Sequence, residues 1–551
     1  MGNSERTNGD EEFLLRRIGR RELLKRAALL GVATPAIAGL LAACDDDVAD
    51  DEEVAAVDED DEDVDDDLED LVDDDDEVEL DDLDDLDDED EVPADVDVDV
   101  EEITDIPRER TLYLRHGGQE GQFIEHDIWN MYAVGSSHQI GGNLIYEPLA
   151  YYSAFADEMI PWLAEDWQYN DDSTQLTITT RSGVEWSDGE PFSARDVAFT
   201  LNHLLSISTE VQRGDEVARF VESAEAVDEN TVVVDFHVPA PRFFYFMSYK
   251  FDIGLYIVPQ HLFEGEDWTS FTAFDIEQGL PVTTGPWRVA HSSPQQKILD
   301  RADSWWAADQ GLVDELPRVE RLIYLPFGDE TNVAQQVIAN QLDTSHTLQP
   351  MTVQRIIQEN PNVITHTYDQ PPYGYVDWWP TAVLVNHDEP PFDERDVRWA
   401  MSYFIDREQM IEVAKDGASG ISQFPMPRYP GLIPFFDYVQ DIFEEYDTTE
   451  HNPERGQELL EQAGFELNSD GWWERDGEVL GFTLNGSIFF ADVGPIVAEM
   501  FRRNGIEAEY AQPPDWWDNV ATGNYRVGMN GHGGSVGNDP YDTLRLFQAN
   551  T

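Results

Sequence analysis

Residues 45–104 contain 38 Asp or Glu and no Lys or Arg. Val, Leu and Ala are scattered through this stretch and aromatic residues are absent. It cannot bury enough apolar surface to offset its own ordering entropy, so it divides the chain into a short leader and a foldable body. The composition predicts a disordered acidic linker whose fully extended reach is roughly 200 Å. The bias extends to the whole chain. Of 551 residues, 116 are acidic and 33 basic, a net charge of −83, and lysine occurs only at positions 25, 250, 297 and 415. Residues 1–44 carry a net +2, which leaves −47 on residues 105–551. That balance excludes a phosphate-reading nucleic-acid binder and disfavours attachment by charge to an anionic membrane. At about 1 M salt the screening length is about 3 Å, so a carboxylate-coated surface stays hydrated without repelling itself apart. The body is built for high salt. One consequence is that most carboxylates are solvating surface, so paired acids do not identify a catalytic site.

The leader, residues 1–44, predicts an export signal. A basic stretch ends in Arg20-Arg21-Glu22-Leu23-Leu24-Lys25, and an apolar run from Ala27 to Ala43 follows, broken by Gly31, Pro35 and Gly39. Seventeen residues with an internal proline suit a signal-peptide core better than a permanent span. The arginine pair resembles a twin-arginine signal, with Gly19 where Ser or Thr is usual. Leu41-Ala42-Ala43-Cys44 resembles the lipobox of lipoproteins, which predicts lipidation of Cys44. Cys44 is the only cysteine, so no disulfide forms within the chain. One lipid chain anchors weakly, so stable attachment requires two. The expected location is the outer face of the cytoplasmic membrane.

With 41 % hydrophobic residues the body can build a core, and length predicts two to four domains in all. Thr111–Leu114, Leu176–Thr179 and Thr231–Phe236 alternate as strands. Ser193 with Asp196 predicts a capping box opening a helix through Leu205. Asp393 and Asp396 open a helix with Val397, Ala400, Met401 and Phe404 on one face. Asn452-Pro453 predicts a capped helix that stops at Gly464. Phe482–Leu484, then Ile496–Phe501, then Ile506–Tyr510 form a βαβ pattern. The fold class is mixed α/β.

Several blocks resemble the solute-binding proteins of the peptide/nickel ABC-importer family (family 5). They are Tyr146-Glu147-Pro148-Leu149, Pro161-Trp162-Leu163-Ala164-Glu165-Asp166-Trp167, Gly183–Phe192, Thr284-Gly285-Pro286-Trp287, Leu342-Asp343, and Pro391-Phe392-Asp393 through Ile405-Asp406-Arg407-Glu408. They occur in the family's order over almost the whole body, and with the leader they make the chain similar to a haloarchaeal-type lipoprotein. The resemblance implies a two-lobed periplasmic-binding-protein-like α/β fold with an extra subdomain in the first lobe. One lobe would comprise about 107–147 and 282–375, the subdomain about 148–281, and the second lobe about 376–551. It also implies a monomeric receptor, not an enzyme, that needs no cofactor. Such a receptor closes its lobes on di- or oligopeptides and delivers them to an ABC permease and its ATPase subunits. By the same resemblance the chain stops at Thr551 before the second lobe should end.

Family peptide binders place an aspartate near residues 530–535, where it pairs with the peptide's amino terminus; this chain has Ser535 there, with His532 beside it and no acid before Asp539. Asp539 is therefore the candidate replacement, and an oligosaccharide solute is the alternative. Trp378 and Trp379 precede the apolar run 382–385 at the lobe junction, where one is expected to face the cleft; most other tryptophans are expected in the core. Gly118 and Gln119, at the end of the first strand, are candidates for the cleft edge or an ordinary turn. Gly533-Gly534-Ser535-Val536-Gly537 matches a nucleophile elbow, but no histidine follows it, so a hydrolase is disfavoured. His116, His126 and His138 are candidates for a nickel site, with surface or core histidine as the alternative. No phosphate-binding G-x-x-x-x-G-K-[ST] loop occurs.

Two outcomes follow from the sequence. Cys44→Ser should release the protein from the membrane fraction, and undiminished association would defeat the lipoprotein assignment. Lowering salt from about 1 M to about 0.1 M lengthens screening from about 3 to about 10 Å, so folded signal should be lost on dialysis. A circular-dichroism melt that ignores salt would overturn the high-salt reading.

Overall fold

The computed structural model describes residues 106–118, 121–250, 254–345, 348–531 and 537–547, all within the compact unit Val98–Thr551. The export signal, Cys44, the acidic linker, Gln119, His532 and Ser535 lie outside the described residues. Among the described residues, strands form five sheets, three of which organise the molecule. No described helix is long and apolar enough to cross a membrane.

The first-lobe sheet has Thr111–Arg115 near its centre, flanked in parallel by Arg321–Leu325 and Thr344–Ser345. Lys297–Arg301 and Trp287–Ser292 extend it as antiparallel strands. Parallel pairing brings the carboxyl ends of three strands to one edge, where Gly117-Gly118 and Pro326-Phe327 leave the sheet. In open α/β sheets this edge is where binding loops gather.

The second sheet is antiparallel, in the order Ala164–Tyr169, Gln175–Thr180, Thr231–Phe236, Val221–Ala226. Alternation puts Leu176, Ile178, Val232 and Val234 on a buried face. Against it packs the helix Ala194–Ser206 through Val197, Leu201 and Leu204. The expected capping box is present: the Ser193 backbone N–H donates to Asp196 at 2.8 Å, and the Ser193 hydroxyl accepts from Arg195 N at 3.3 Å.

The second-lobe sheet runs Ala382–Val385, Val527–Asn530, Gly481–Asn485, Glu507–Ala511. Its last two strands are parallel and joined by the helix Gly494–Arg503, the βαβ unit expected from the sequence. The helix Arg395–Phe404 buries Val397, Ala400, Met401 and Phe404 as one stripe. It begins where Asp393 and Asp396 pointed, with Asp396 in its first turn; the cap position is Glu394, which makes no capping bond and holds Arg475 through two bonds of 2.6 and 3.1 Å. Asn452 does cap the helix Pro453–Gln462, accepting from Arg455 N at 3.0 Å.

Glu147 joins the first lobe to the antiparallel sheet. It is buried, and no lysine or arginine bonds it among the described residues. One carboxylate oxygen accepts from Trp162 Nε1 at 2.8 Å and Trp305 Nε1 at 3.2 Å, and the other from Trp306 Nε1 at 2.7 Å. Burial raises its pKa, against the pull of these indoles and Thr284. Replacing it strands three indole donors, each costing about 1–3 kcal/mol when left unpaired. Glu147→Ala should therefore destabilise the protein by at least about 3 kcal/mol in denaturant titrations at high salt. A loss below about 1 kcal/mol would show that the indoles find other acceptors.

Candidate functional site

The second-lobe sheet ends at Asn530, and Gly531 follows, buried beneath the indole of Trp379. A Cβ at Gly531 would enter that ring, so only glycine permits the contact. Trp379 in turn stacks on Phe490, with centroids 6.0 Å apart and planes at 27°, and meets Trp517 at 6.0 Å and 32°. These three residues come from the approach to Ala382–Val385 and from segments following Gly481–Asn485 and Glu507–Ala511. They therefore share the carboxyl edge of the parallel pair. Trp516 is buried and its Nε1 donates to Met529 O at 3.2 Å, which pins its short helix and leaves Trp517 half-exposed. Phe489, next to Phe490 in the chain, is exposed.

Trp378 takes the other side of the junction. It packs with Tyr152, Ala154, Met159, Tyr245 and Tyr429, a cluster that joins the subdomain to the second lobe. Tyr429 OH donates to Val376 O at 2.5 Å, which holds the crossing segment against this cluster. Phe155 meets Tyr429 edge-on at 5.4 Å and Tyr375 at 5.9 Å. The two neighbouring tryptophans are thus divided, both half-buried, one in the junction and one on the second-lobe wall.

A polar clasp closes the same junction. Asn538 accepts from Arg242, and its Nδ2 donates to Asp157 Oδ1 at 3.0 Å and to the Tyr245 hydroxyl at 3.0 Å. Tyr152 OH donates to the same Asp157 oxygen at 2.8 Å. Arg242 Nε lies 3.2 Å from Asp539 Oδ2, and its guanidinium covers the Tyr245 ring at 4.0 Å. Gly431 faces this group; a Cβ there would meet Asn538 and lie 2.8 Å from Asp157 Oδ1. The structure therefore engages Asp539 with a subdomain guanidinium, whereas the sequence reading had it swinging toward a ligand ammonium.

Gly118 sits at the carboxyl edge of the first-lobe sheet with φ +81°, and a Cβ would lie 2.7 Å from Gln122 O. Backbone crowding requires glycine here. The candidate nickel ligands do not converge: among the described residues no group of three or more His, Cys, Asp or Glu is placed to hold a metal. His138 is held near pKa 4 by burial, with the Arg213 charge adding to the effect. Arg242, Asp157, Tyr429 and Phe155 carry no local sequence signal, because their partners lie up to 381 positions away.

Residues 158–551 match the model of the bacterial extracellular solute-binding proteins, family 5 Middle. The chain belongs to this family. It is 22 % identical over 370 residues to the oligopeptide-binding protein AppA of Bacillus subtilis, covering 64 % of this chain and 63 % of that protein. To the nickel-binding periplasmic protein of Escherichia coli it is 22 % identical over 329 residues, covering 59 % and 56 %. The chain thus spans less than two thirds of these relatives' length. Among solved structures, the periplasmic oligopeptide-binding protein of a Thermotoga maritima ABC transporter superposes with TM-score 0.67 at 24 % identity over 77 % of each chain. Its mannohexaose-bound form gives 0.62 at 24 % identity over 78 % and 77 %. These likenesses establish the two-lobed α/β fold of periplasmic binding proteins.

In this family-5 protein the clasp contains one neutral hydrogen bond, from Asn538 to the Tyr245 hydroxyl, while its bonds to the Asp157 carboxylate and from the Arg242 guanidinium are charge-assisted. Asn538→Ala should favour separation of the lobes by about 2–3 kcal/mol. Hydrogen exchange should then quicken at amides around 150–153 and 429–436. Unchanged exchange in both segments would show that the clasp does not hold the junction.

Proposed function

We propose that the chain is the lipid-anchored extracytoplasmic receptor of an ABC importer. It closes its lobes on peptides and presents them to a membrane permease coupled to an ATPase. Cys44 provides the anchor, and residues 45–104 the tether that lets the body turn above the membrane. The observation that carries the reading is the aromatic wall of Trp379, Phe490 and Trp517 at the carboxyl edge of the second-lobe sheet. It lies one residue along the crossing segment from the inter-lobe cluster at Trp378. A wall of this kind gives apolar area to side chains of varied sequence, while strand ends supply neutral hydrogen bonds. No bond is made or broken in the solute. Affinity near micromolar requires only about −8 kcal/mol.

The same wall supports a second reading. Indoles stack on apolar sugar faces, and the Thermotoga relative was solved with mannohexaose bound. Calorimetry in high salt against tetra-alanine, mannohexaose, cellohexaose and nickel separates the readings. Peptide binding alone is expected, and Trp517→Ala should weaken it by roughly tenfold, the loss of one aromatic contact. Binding of mannohexaose with no response to peptide would replace the peptide reading by the sugar one.

A further inference from the structure

Among the described residues of the second lobe, two buried side-chain oxygens have no hydrogen-bond partner, Ser487 Oγ and Asn530 Oδ1. Their residues are only 8 % and 5 % exposed. Both stand at the carboxyl edge of the second-lobe sheet. The strands Gly481–Asn485 and Val527–Asn530 pair in parallel, with Leu484 beside Val527 and Asn485 beside Gly528. Ser487 is three residues past Leu484 and Asn530 three past Val527, so the two residues leave adjacent strands at the same level.

The aromatic wall adjoins this level. Asn530 is followed by Gly531, which sits beneath the Trp379 indole. Ser487 opens the turn that carries Phe490: its carbonyl accepts from Phe490 N at 3.1 Å, and Phe490 stacks on Trp379. The Tyr510 hydroxyl donates to the same carbonyl at 3.1 Å, so the backbone of Ser487 is held from two sides while its side-chain oxygen is bonded by nothing. Trp379 itself is held by ring contacts with Phe490 and Trp517, so it can turn without breaking a directional bond. Buried polar groups are bonded in nearly all folded proteins, and each one that is not carries its full desolvation penalty. Two such oxygens at one sheet edge, next to a ring wall, mark a place where bonding is completed by something that arrives.

We propose that Ser487 and Asn530 form a polar floor beside Trp379, which takes neutral N–H or O–H donors of the solute once the indole turns aside. The assignment deepens the receptor reading of the same wall and rests on it. Asn530 Oδ1 can only accept, and Ser487 Oγ can accept or donate. A solute carboxylate, which is acceptor-only, therefore matches one of them at most, whereas amide N–H or hydroxyl groups match both. Neither oxygen is charged, so concentrated salt does not screen the bonds they make.

The test is calorimetry and thermal melting on the full chain in high salt, with tetra-alanine, its analogue methylated at every peptide nitrogen, and mannohexaose as probes. Ser487→Ala and Asn530→Leu each remove an unpartnered oxygen. Each should raise the melting midpoint of the free protein, because a desolvated group goes and no bond is lost, while weakening tetra-alanine by about tenfold. The methylated peptide has no amide N–H, so it should bind the wild type weakly and ignore both substitutions. If mannohexaose binds and tetra-alanine does not, with the same losses in both variants, the floor stands and the peptide reading fails. A lower melting midpoint in both variants would show that the oxygens are satisfied within the protein and would overturn the proposal. Unchanged affinity in both variants would overturn it too, as would equal binding of the methylated and unmethylated peptides, or a wild type that binds neither tetra-alanine nor mannohexaose.

Discussion

Scarcity of positive charge governs how this protein is held together. With 33 basic residues against 116 acidic ones, a cation at any buried position is a rare resource, and its placement shapes what surrounds it. Of only four lysines, two are buried. Lys297 sits 3.6 Å from Glu125 beneath the rings of Phe123 and Trp129, where burial lowers its pKa. Lys250 donates to Tyr245 O at 2.9 Å, next to the junction. Arginines form forks with single carboxylates, as Arg321 does with Asp300 at 2.6 and 2.7 Å and Arg475 with Glu394. Where no cation bonds a buried carboxylate, the group is satisfied another way. Three indole N–H groups hold Glu147, an arrangement that needs no opposite charge and that salt does not screen.

The same constraint explains what was legible in the sequence. Local order is written locally: the Ser193–Asp196 box, the stripe on Arg395–Phe404 and the βαβ unit from Gly481 to Ala511 follow from spacing alone. The link from Glu394, at the cap of that helix, to Arg475 was not legible because the two lie 81 residues apart. At the site, Trp378 and Trp379 were visible as a pair at the lobe junction, but their division between two walls depends on Gly531 and on Tyr429, which no spacing connects to them. Tyr146-Glu147-Pro148 marked the family without showing that Glu147 gathers Trp162, Trp305 and Trp306.

The lobe closure proposed above would need a junction that holds its geometry yet can open. The clasp at Asn538 suits it because its bonds are few and partly exposed, one to the neutral Tyr245 hydroxyl and the others to the charged Asp157 and Arg242. The one ion pair in it, Arg242 with Asp539, leaves both partners partly exposed, so concentrated salt screens it toward zero net worth. What remains is a small set of hydrogen bonds, most with one charged partner, plus ring contacts among Tyr152, Tyr245, Phe155 and Tyr429. The buried Glu147 group, by contrast, ties the first lobe firmly to the antiparallel sheet.

Salt also sets what such a cleft can recognise. An open carboxylate in concentrated electrolyte attracts any cation weakly and selects none. Selectivity returns only where water and small ions are excluded from one side of the charge, and that calls for apolar walls close to the acid. The ring wall of Trp379, Phe490 and Trp517 is such an apolar surface. Aromatic rings suit this better than aliphatic groups, since their faces are attractive to a cation while their bulk removes water. For a surface as acidic as this one, open charge carries little selectivity in strong electrolyte, and recognition falls to apolar walls and neutral hydrogen bonds.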